Sequence, residues 1–231
     1  PTQFAPNEDL DRYPRDAEGD AAKCRDEGVD VIFAPPVEEL YPSGAQTFVL
    51  VEEVSQGLCG AQRPTHFRGV ATVVAKLFNI VGPCVAVFGS KDYQQLQVVR
   101  RMVDDLCFPV EVVAGKLVRE GDGLAMSSRN AYLKPAQRRA ASCLHGALRR
   151  VEARLGEGGP LTAGAALTLA REHLASVVAD EALEASVDYV ELRRQRSLGA
   201  LAEEEVLVPG EVVMLLAVHF GATRLIDNLE L

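Results

Sequence analysis

The sequence predicts an α/β protein: a parallel sheet flanked by helices, followed by a small α+β domain. Three observations carry this reading. Short apolar runs at 29–34, 47–54, 85–89 and 110–115 alternate with stretches of helical period, and strand–helix–strand alternation builds a parallel sheet. Past residue 134 the order changes, with two helical stretches first and strand-like runs after them. The chain has 231 residues, 48% of them hydrophobic, which suits one large domain or two small ones and is too apolar for disorder.

The elements follow in order. Residues 1–15, PTQFAPNEDLDRYPR, hold three prolines and little periodicity, and read as an ordered loop. Asp16–Glu27 reads as a short helix stopped by Gly28. VDVIFA (29–34) reads as a buried strand and TFVLVEEV (47–54) as another, with a proline-bracketed helical turn between them. SQGLCGAQRPTHF (55–67) reads as a glycine-rich loop. The helix expected over 68–81 puts Val70, Val73, Val74, Leu77 and Phe78 on one face. VAVFG (85–89) is an expected buried strand, Asp92–Leu106 a helix, and VEVVAG (110–115) the next strand, in a sheet covered on both faces.

After the loop 116–134, Pro135 opens a helix to about Leu155, at the first helical position where its missing N–H costs nothing. GEGGP (156–160) reads as a hinge, 162–179 as a second helix, 186–193 and 212–221 as strands, and TRLIDNLEL as a short tail. The domain boundary is expected near 116–120, giving units 1–117 and 118–231.

Composition narrows the function. Lysine and arginine number 24 against 33 acidic residues, a net charge of −9, which argues against a general nucleic-acid binder. A phosphate ligand then requires local cations set against the global sign. The five cysteines include no C-x-x-C pair, so buried reduced thiols are expected rather than a disulfide framework or zinc site. The histidines show no ligand spacing. With no signal peptide and no long apolar run, a soluble cytoplasmic protein is expected.

Two stretches carry chemistry. In VAVFGSKDYQQL (85–96) a strand ends at Phe88, Gly89 allows close backbone approach, and a helix starts near Asp92. Ligands in open α/β sheets sit at the carboxyl ends of strands, and helix starts favour anions. Lys91 stands where a phosphate would arrive, and Gln95 shares a face with Asp92. On spacing alone this reads equally as a plain strand-to-helix turn capped by Asp92. In DGLAMSSRNAYL (122–133), Ser127, Ser128 and Arg129 can donate to phosphate oxygens. Taken alone, that stretch reads better as a polar interdomain loop with Asn130 capping a helix. Both stretches follow strands of one sheet, which favours a shared ligand. RPTHF (63–67) adds Arg63 and His66 at a helix start, and Gln3 is uninformative by itself.

Taken together, PTQFAPNEDLDRYPR, GVDVIFAPPVEELYP, LCGAQRPTHFRGVATVVAKLFNIV, FGSKDYQQL, VREGDGLAMSSRNAYL, DYVELR and GATRLIDN resemble the pantothenate synthetases (pantoate–β-alanine ligases), in order and over nearly the whole chain. The resemblance implies a Rossmann-like nucleotidyltransferase domain with a mobile loop that closes over ATP. It implies two half-reactions: pantoate attacks the α-phosphate of ATP with Mg²⁺, giving pantoyl adenylate and pyrophosphate, and β-alanine then displaces AMP. Carried over by residue, Gln3, Gln95 and His66 hold pantoate or β-alanine. Phe88, Gly89, Ser90, Lys91, Asp92, Val118, Met126, Ser127, Ser128 and Arg129 meet ATP, with Lys91, Ser127, Ser128 and Arg129 catalytic. No metal ligands are assigned, and a cytoplasmic homodimer is implied.

The sequence departs from the family at Cys84 and Lys116, neither a motif position, and begins inside the family's V-N-P-x-Q-F, without its M-G-x-L-H-x-G-H motif. Little activity is therefore expected of these 231 residues alone. The alternatives are a non-catalytic binding or dimerisation fragment, and a nucleotidyltransferase of the same fold with another acceptor.

Overall fold

The computed structural model describes residues 15–231. Helix α1 (Ala17–Asp26) starts where the sequence places it, with the Asp16 carboxylate accepting from Gly19 N at 2.9 Å. Gly28, at φ +74°, follows its end. Residues 29–34 form no strand, and Val31, Ile32 and Phe33 are exposed. The short helix α2 (Val37–Leu40) follows. Residues 47–54 send Val51 and Val54 inward and leave Phe48 and Leu50 exposed, a spacing that does not keep a strand's alternation, and they gain no ladder. A strand needs an adjacent edge to satisfy its backbone. Among the described residues, strands β1 (Cys84–Gly89) and β2 (Val110–Gly115) pair only with each other.

Between these lie helices α3 (Leu58–Gln62), inside the expected glycine-rich loop, and α4 (His66–Val81). Gln94 explains the extra helix. Its side-chain oxygen accepts from Cys59 N, and its amide donates to the carbonyls of Val54, Gln56 and Gly57. One buried amide thus satisfies the backbone of a whole turn. β1 and β2 are parallel, in register from Cys84↔Val110 to Gly89↔Gly115, and α5 (Tyr93–Asp105) connects them. Among the described residues one face of the sheet is covered rather than both: Ala86 and Phe88 turn inward, while Val85 and Val87 are exposed.

The C-terminal half opens with α6 (Pro135–Ala140) and α7 (Cys143–Gly156), where the sequence predicts one helix. The break falls at Ala141–Ser142, where Leu144 N bonds back three residues to Ala141 O. Helix α8 (Ala163–Val178) follows, then an antiparallel sheet of β3 (Ala185–Arg194), β4 (Val212–Phe220) and β5 (Thr223–Glu230). β5 is the stretch expected as a tail. Gly221 at φ +57° turns the chain tightly enough to pair Phe220 with Thr223.

β4 is buried on both faces. Val212, Met214, Leu216, Val218 and Phe220 pack with α7 and α8, while Val213 and Leu215 join the core of α4 and α5. Each such side chain contributes about 1.5–3 kcal/mol of burial, and the strand reads as an unbroken apolar run because both sides are dry. The cysteines are free as expected, but only Cys143 is buried, its thiol pushed up to about 12 by desolvation.

Candidate active site

A cleft of about 690 Å³ opens between the end of β1, the start of α4, the loop after β2 and strand β5. Lys91, Asp92, Gln95, His66, Ser127 and Arg129 all line it. Five lysines and arginines meet three carboxylates there, against a chain charge of −9. The local field therefore favours an anion despite the global sign.

Ser90–Asp92 form a 3₁₀ turn between β1 and α5, and Asp92 makes no side-chain capping bond to the helix. That tells against the plain capped turn. A Cβ added at Gly89 would meet nothing within 4 Å, so its backbone stands open to a ligand. The Phe88 ring packs edge-on against Phe78.

The second stretch is a hairpin followed by a 3₁₀ turn. Glu120 N donates to Leu124 O at 2.8 Å, and Met126 N to Val118 O at 3.0 Å. Leu124 anchors the hairpin in the C-terminal core, whereas Val118 and Met126 sit opposite each other and are exposed. Arg119 makes a bidentate pair with Asp227, at 2.7 and 2.9 Å, and donates to Gly123 O. Arg138 bridges Glu120 and Asp122. Ser127, not Asn130, caps the turn at Ser128–Tyr132, its hydroxyl accepting from Arg129 N. Asn130 instead donates to Glu120 and to Ala125 O. Ser128, Val118, Met126, Gly89 and Ser90 do not line the cleft, and Gln3 lies outside the described residues.

Two expectations follow from this hairpin. Gly123 has φ +91°, and a Cβ there would overlap the His145 ring. Gly123→Ala should lose about 1–3 kcal/mol, lowering Tm by roughly 2–4 °C per kcal/mol; an unchanged melting curve would refute the constraint. The Glu120 and Asp122 carboxyls are held below their usual ranges, chiefly by hydrogen bonds from Arg138. Depressed folded values mean that their stabilisation is present above the unfolded values and is lost as pH falls through the folded ones. Amide protection at 119–125 should therefore fall selectively below about pH 4. Loss of protection in parallel across the whole chain would contradict a local origin.

Other wall residues were silent in the sequence. Asn228 donates from one side-chain nitrogen to Ser90 O at 3.0 Å and to Lys91 O at 2.8 Å. Arg224 donates to Asp188 and to Cys59 Sγ, and Gln62 donates to the other Asp188 oxygen. The polar doublet of Asp227 and Asn228, set between Ile226 and Leu229, was the available signal, hidden by reading 223–231 as a tail.

The family model for pantoate-beta-alanine ligase matches residues 1–230. The chain belongs to the pantoate-beta-alanine ligase family. It is 55% identical over 230 residues to the pantothenate synthetase of Anaeromyxobacter dehalogenans, spanning 99% of this chain and 75% of that one. It is 52% identical over 235 residues to that of Myxococcus xanthus, spanning 100% and 76%. Among solved ligases of the family, the pantothenate synthetase of Thermus thermophilus superposes with a TM-score of 0.91 at 49% identity, over all of this chain and 80% of that one. The pantoate-beta-alanine ligase of Francisella tularensis, complexed with beta-gamma ATP and beta-alanine, gives 0.75 at 28%, over 100% and 76%. The architecture of parallel sheet, helices and small antiparallel sheet is that of these ligases.

Proposed function

We propose that the cleft condenses pantoate with β-alanine at the expense of ATP, through pantoyl adenylate. The observation that carries this reading is the convergence of Lys91, Gln95, Ser127 and Arg129 on one cationic cleft, in a chain matched to the ligase family over 230 residues. A free carboxylate is a poor acyl donor because its oxygen leaves badly. In the first step a pantoate oxygen attacks the α-phosphorus, and the bond to the bridging oxygen breaks with its electron pair leaving on pyrophosphate. In the second, the β-alanine amine attacks the acyl carbon, AMP departs with the C–O pair, and the nitrogen loses a proton. The substrates supply both nucleophiles, so the protein needs none.

In this reading Lys91 and Arg129 face the charge that grows on the leaving phosphates. At about 4 Å and an effective dielectric near 20, each attraction is about 4 kcal/mol, and it acts where preorganised donors serve best. Ser127 and Ser128 add hydroxyl donors. Phe88, Gly89, Ser90, Val118 and Met126 stand outside the cleft wall and are assigned to ATP through the family resemblance alone. Gln95 and His66 hold the acceptor substrates, with Gln3 assigned to the same role. Residues 1–117 form the nucleotide- and pantoate-binding unit and 118–231 the unit carrying the phosphate loop, which closes on ATP.

Magnesium fits as part of the substrate. Among the described residues no cluster of three His, Cys, Asp or Glu could cage a metal. Mg²⁺ characteristically travels with phosphates and one or two carboxylates, and Asp92 is the cleft carboxylate nearest in sequence to Lys91. When bound it supplies positive charge to the triphosphate. The working protein in this reading is a cytoplasmic homodimer without nucleic-acid or membrane partners. No helix among the described residues is long and apolar enough to cross a membrane.

The test separates the half-reactions. In a chain of the relatives' full length that carries this sequence, pyrophosphate should be released from ATP and pantoate without β-alanine, and AMP and pantothenate should appear once β-alanine is added. Pyrophosphate release that requires β-alanine would overturn the adenylate route.

A further inference from the structure

We propose that Asp227 and Asn228, neighbours on β5, are positioning residues that set the spacing between the two phosphate-facing loops and thereby the affinity for ATP. The inference rests on the phosphate roles given above to Lys91 and Arg129.

Successive side chains of a strand point to opposite faces. Asp227 lies opposite Leu216 and Asn228 opposite Leu215, so the first shares a face with the α7–α8 core and the second with the α4–α5 core. Asp227 and Asn228 therefore address opposite faces of β5, each toward one half of the cleft. On one face Asp227 accepts both nitrogens of Arg119, at the base of the hairpin leading to Ser127 and Arg129. On the other, both hydrogens of the Asn228 amide are spent on consecutive carbonyls, Ser90 O and Lys91 O. The second of these belongs to the lysine itself, so the bond fixes the backbone from which its side chain springs. Asp227 Oδ1 also accepts from Asn228 N at 2.8 Å. The connection from one loop to the other is thus an unbroken run of hydrogen bonds through two buried residues.

Stability alone does not account for this pair. A well-packed apolar pair of similar volume often serves a fold as well as a buried ion pair does, and the residues opposite on β4, Leu216 and Leu215, are apolar. What an apolar pair cannot do is hold two loops at a fixed separation through directed bonds.

Asn228→Asp keeps the size and removes both donors. The expected result, by titration calorimetry at a temperature where the variant is fully folded, is a Kd for ATP about 10-fold weaker or more with the pantoate Kd close to the parent's; the new carboxylate, set against two carbonyls, also lowers the ligand-free melting temperature. Lys91→Ala should also weaken ATP binding, and the double variant should be no weaker than Lys91→Ala alone, because Asn228 acts through that residue. If Asn228→Asp does not fold, Asn228→Ser, with one donor in place of two, is measured in the same way. Equal ATP affinity in the Asn228 variant, beside a weakened Lys91→Ala, overturns this inference alone. So does equal loss of ATP and pantoate affinity, the mark of a merely structural residue. Wild-type ATP binding by Lys91→Ala, or no ATP binding by the parent chain, overturns the phosphate reading and this inference with it.

Discussion

In a chain of the relatives' full length that carries this sequence, Lys91→Ala is expected to slow pyrophosphate release from ATP and pantoate by about 10²–10³, the loss of one charge-stabilising donor worth about 3–4 kcal/mol. The ammonium springs from a 3₁₀ turn whose carbonyls Asn228 holds, and it lines the cleft rather than the core. Its removal should therefore change stability by less than about 0.5 kcal/mol. Lys91→Arg should restore only part of the rate, because a planar fork does not replace a compact ammonium. The second half-reaction, begun from supplied pantoyl adenylate, should suffer less, since pyrophosphate has already gone. Single-turnover kinetics of each step beside a melting curve decides the matter. A rate that falls only in proportion to the folded fraction would make Lys91 a solvated helix-start residue.

Arg119→Met has its largest effect on the fold. It leaves the Asp227 carboxylate, 1% exposed, without its cation. Breaking a buried pair from one side characteristically costs 3–5 kcal/mol; with Arg119 itself 20% exposed, a loss of about 3 kcal/mol is expected. Adding Asp227→Asn to Arg119→Met should recover part of the loss, because the stranded charge is gone. Denaturant melts of the three variants test this. A double variant as unstable as the sum of the single changes would mean that the two residues do not interact.

What could be read from the sequence follows from what each signal encodes. Local chemistry was legible: Asp16 caps a helix, Pro135 opens one, and β1–α5–β2 appears in the predicted order. So was the apolar character of 47–54, which sends Val51 and Val54 into the core although no strand forms there. What failed depends on distant partners. An apolar run does not say whether a second strand will pair with it, as 29–34 shows, or whether both its faces will be covered, as Val85 and Val87 show. The helix at 58–62 exists through Gln94, some 35 residues later. In the site, Lys91, Gln95, Ser127 and Arg129 belong to motifs contiguous in sequence. Asp227 and Asn228 belong to a strand that meets those motifs only after folding, and they were missed. Their bonds span 108 to 138 residues.

The doubly buried β4 also bears on how the molecule comes apart. Alternate residues of one strand belong to different cores, so neither core can open without exposing a wall of the other. Heat should accordingly unfold the chain in a single calorimetric transition, with equal calorimetric and van't Hoff enthalpies. Among the described residues, this shared strand is expected to resist hinge motion between the halves. Whatever yields to admit a substrate must be a loop at the rim of the cleft, while the floor keeps its shape through every turnover.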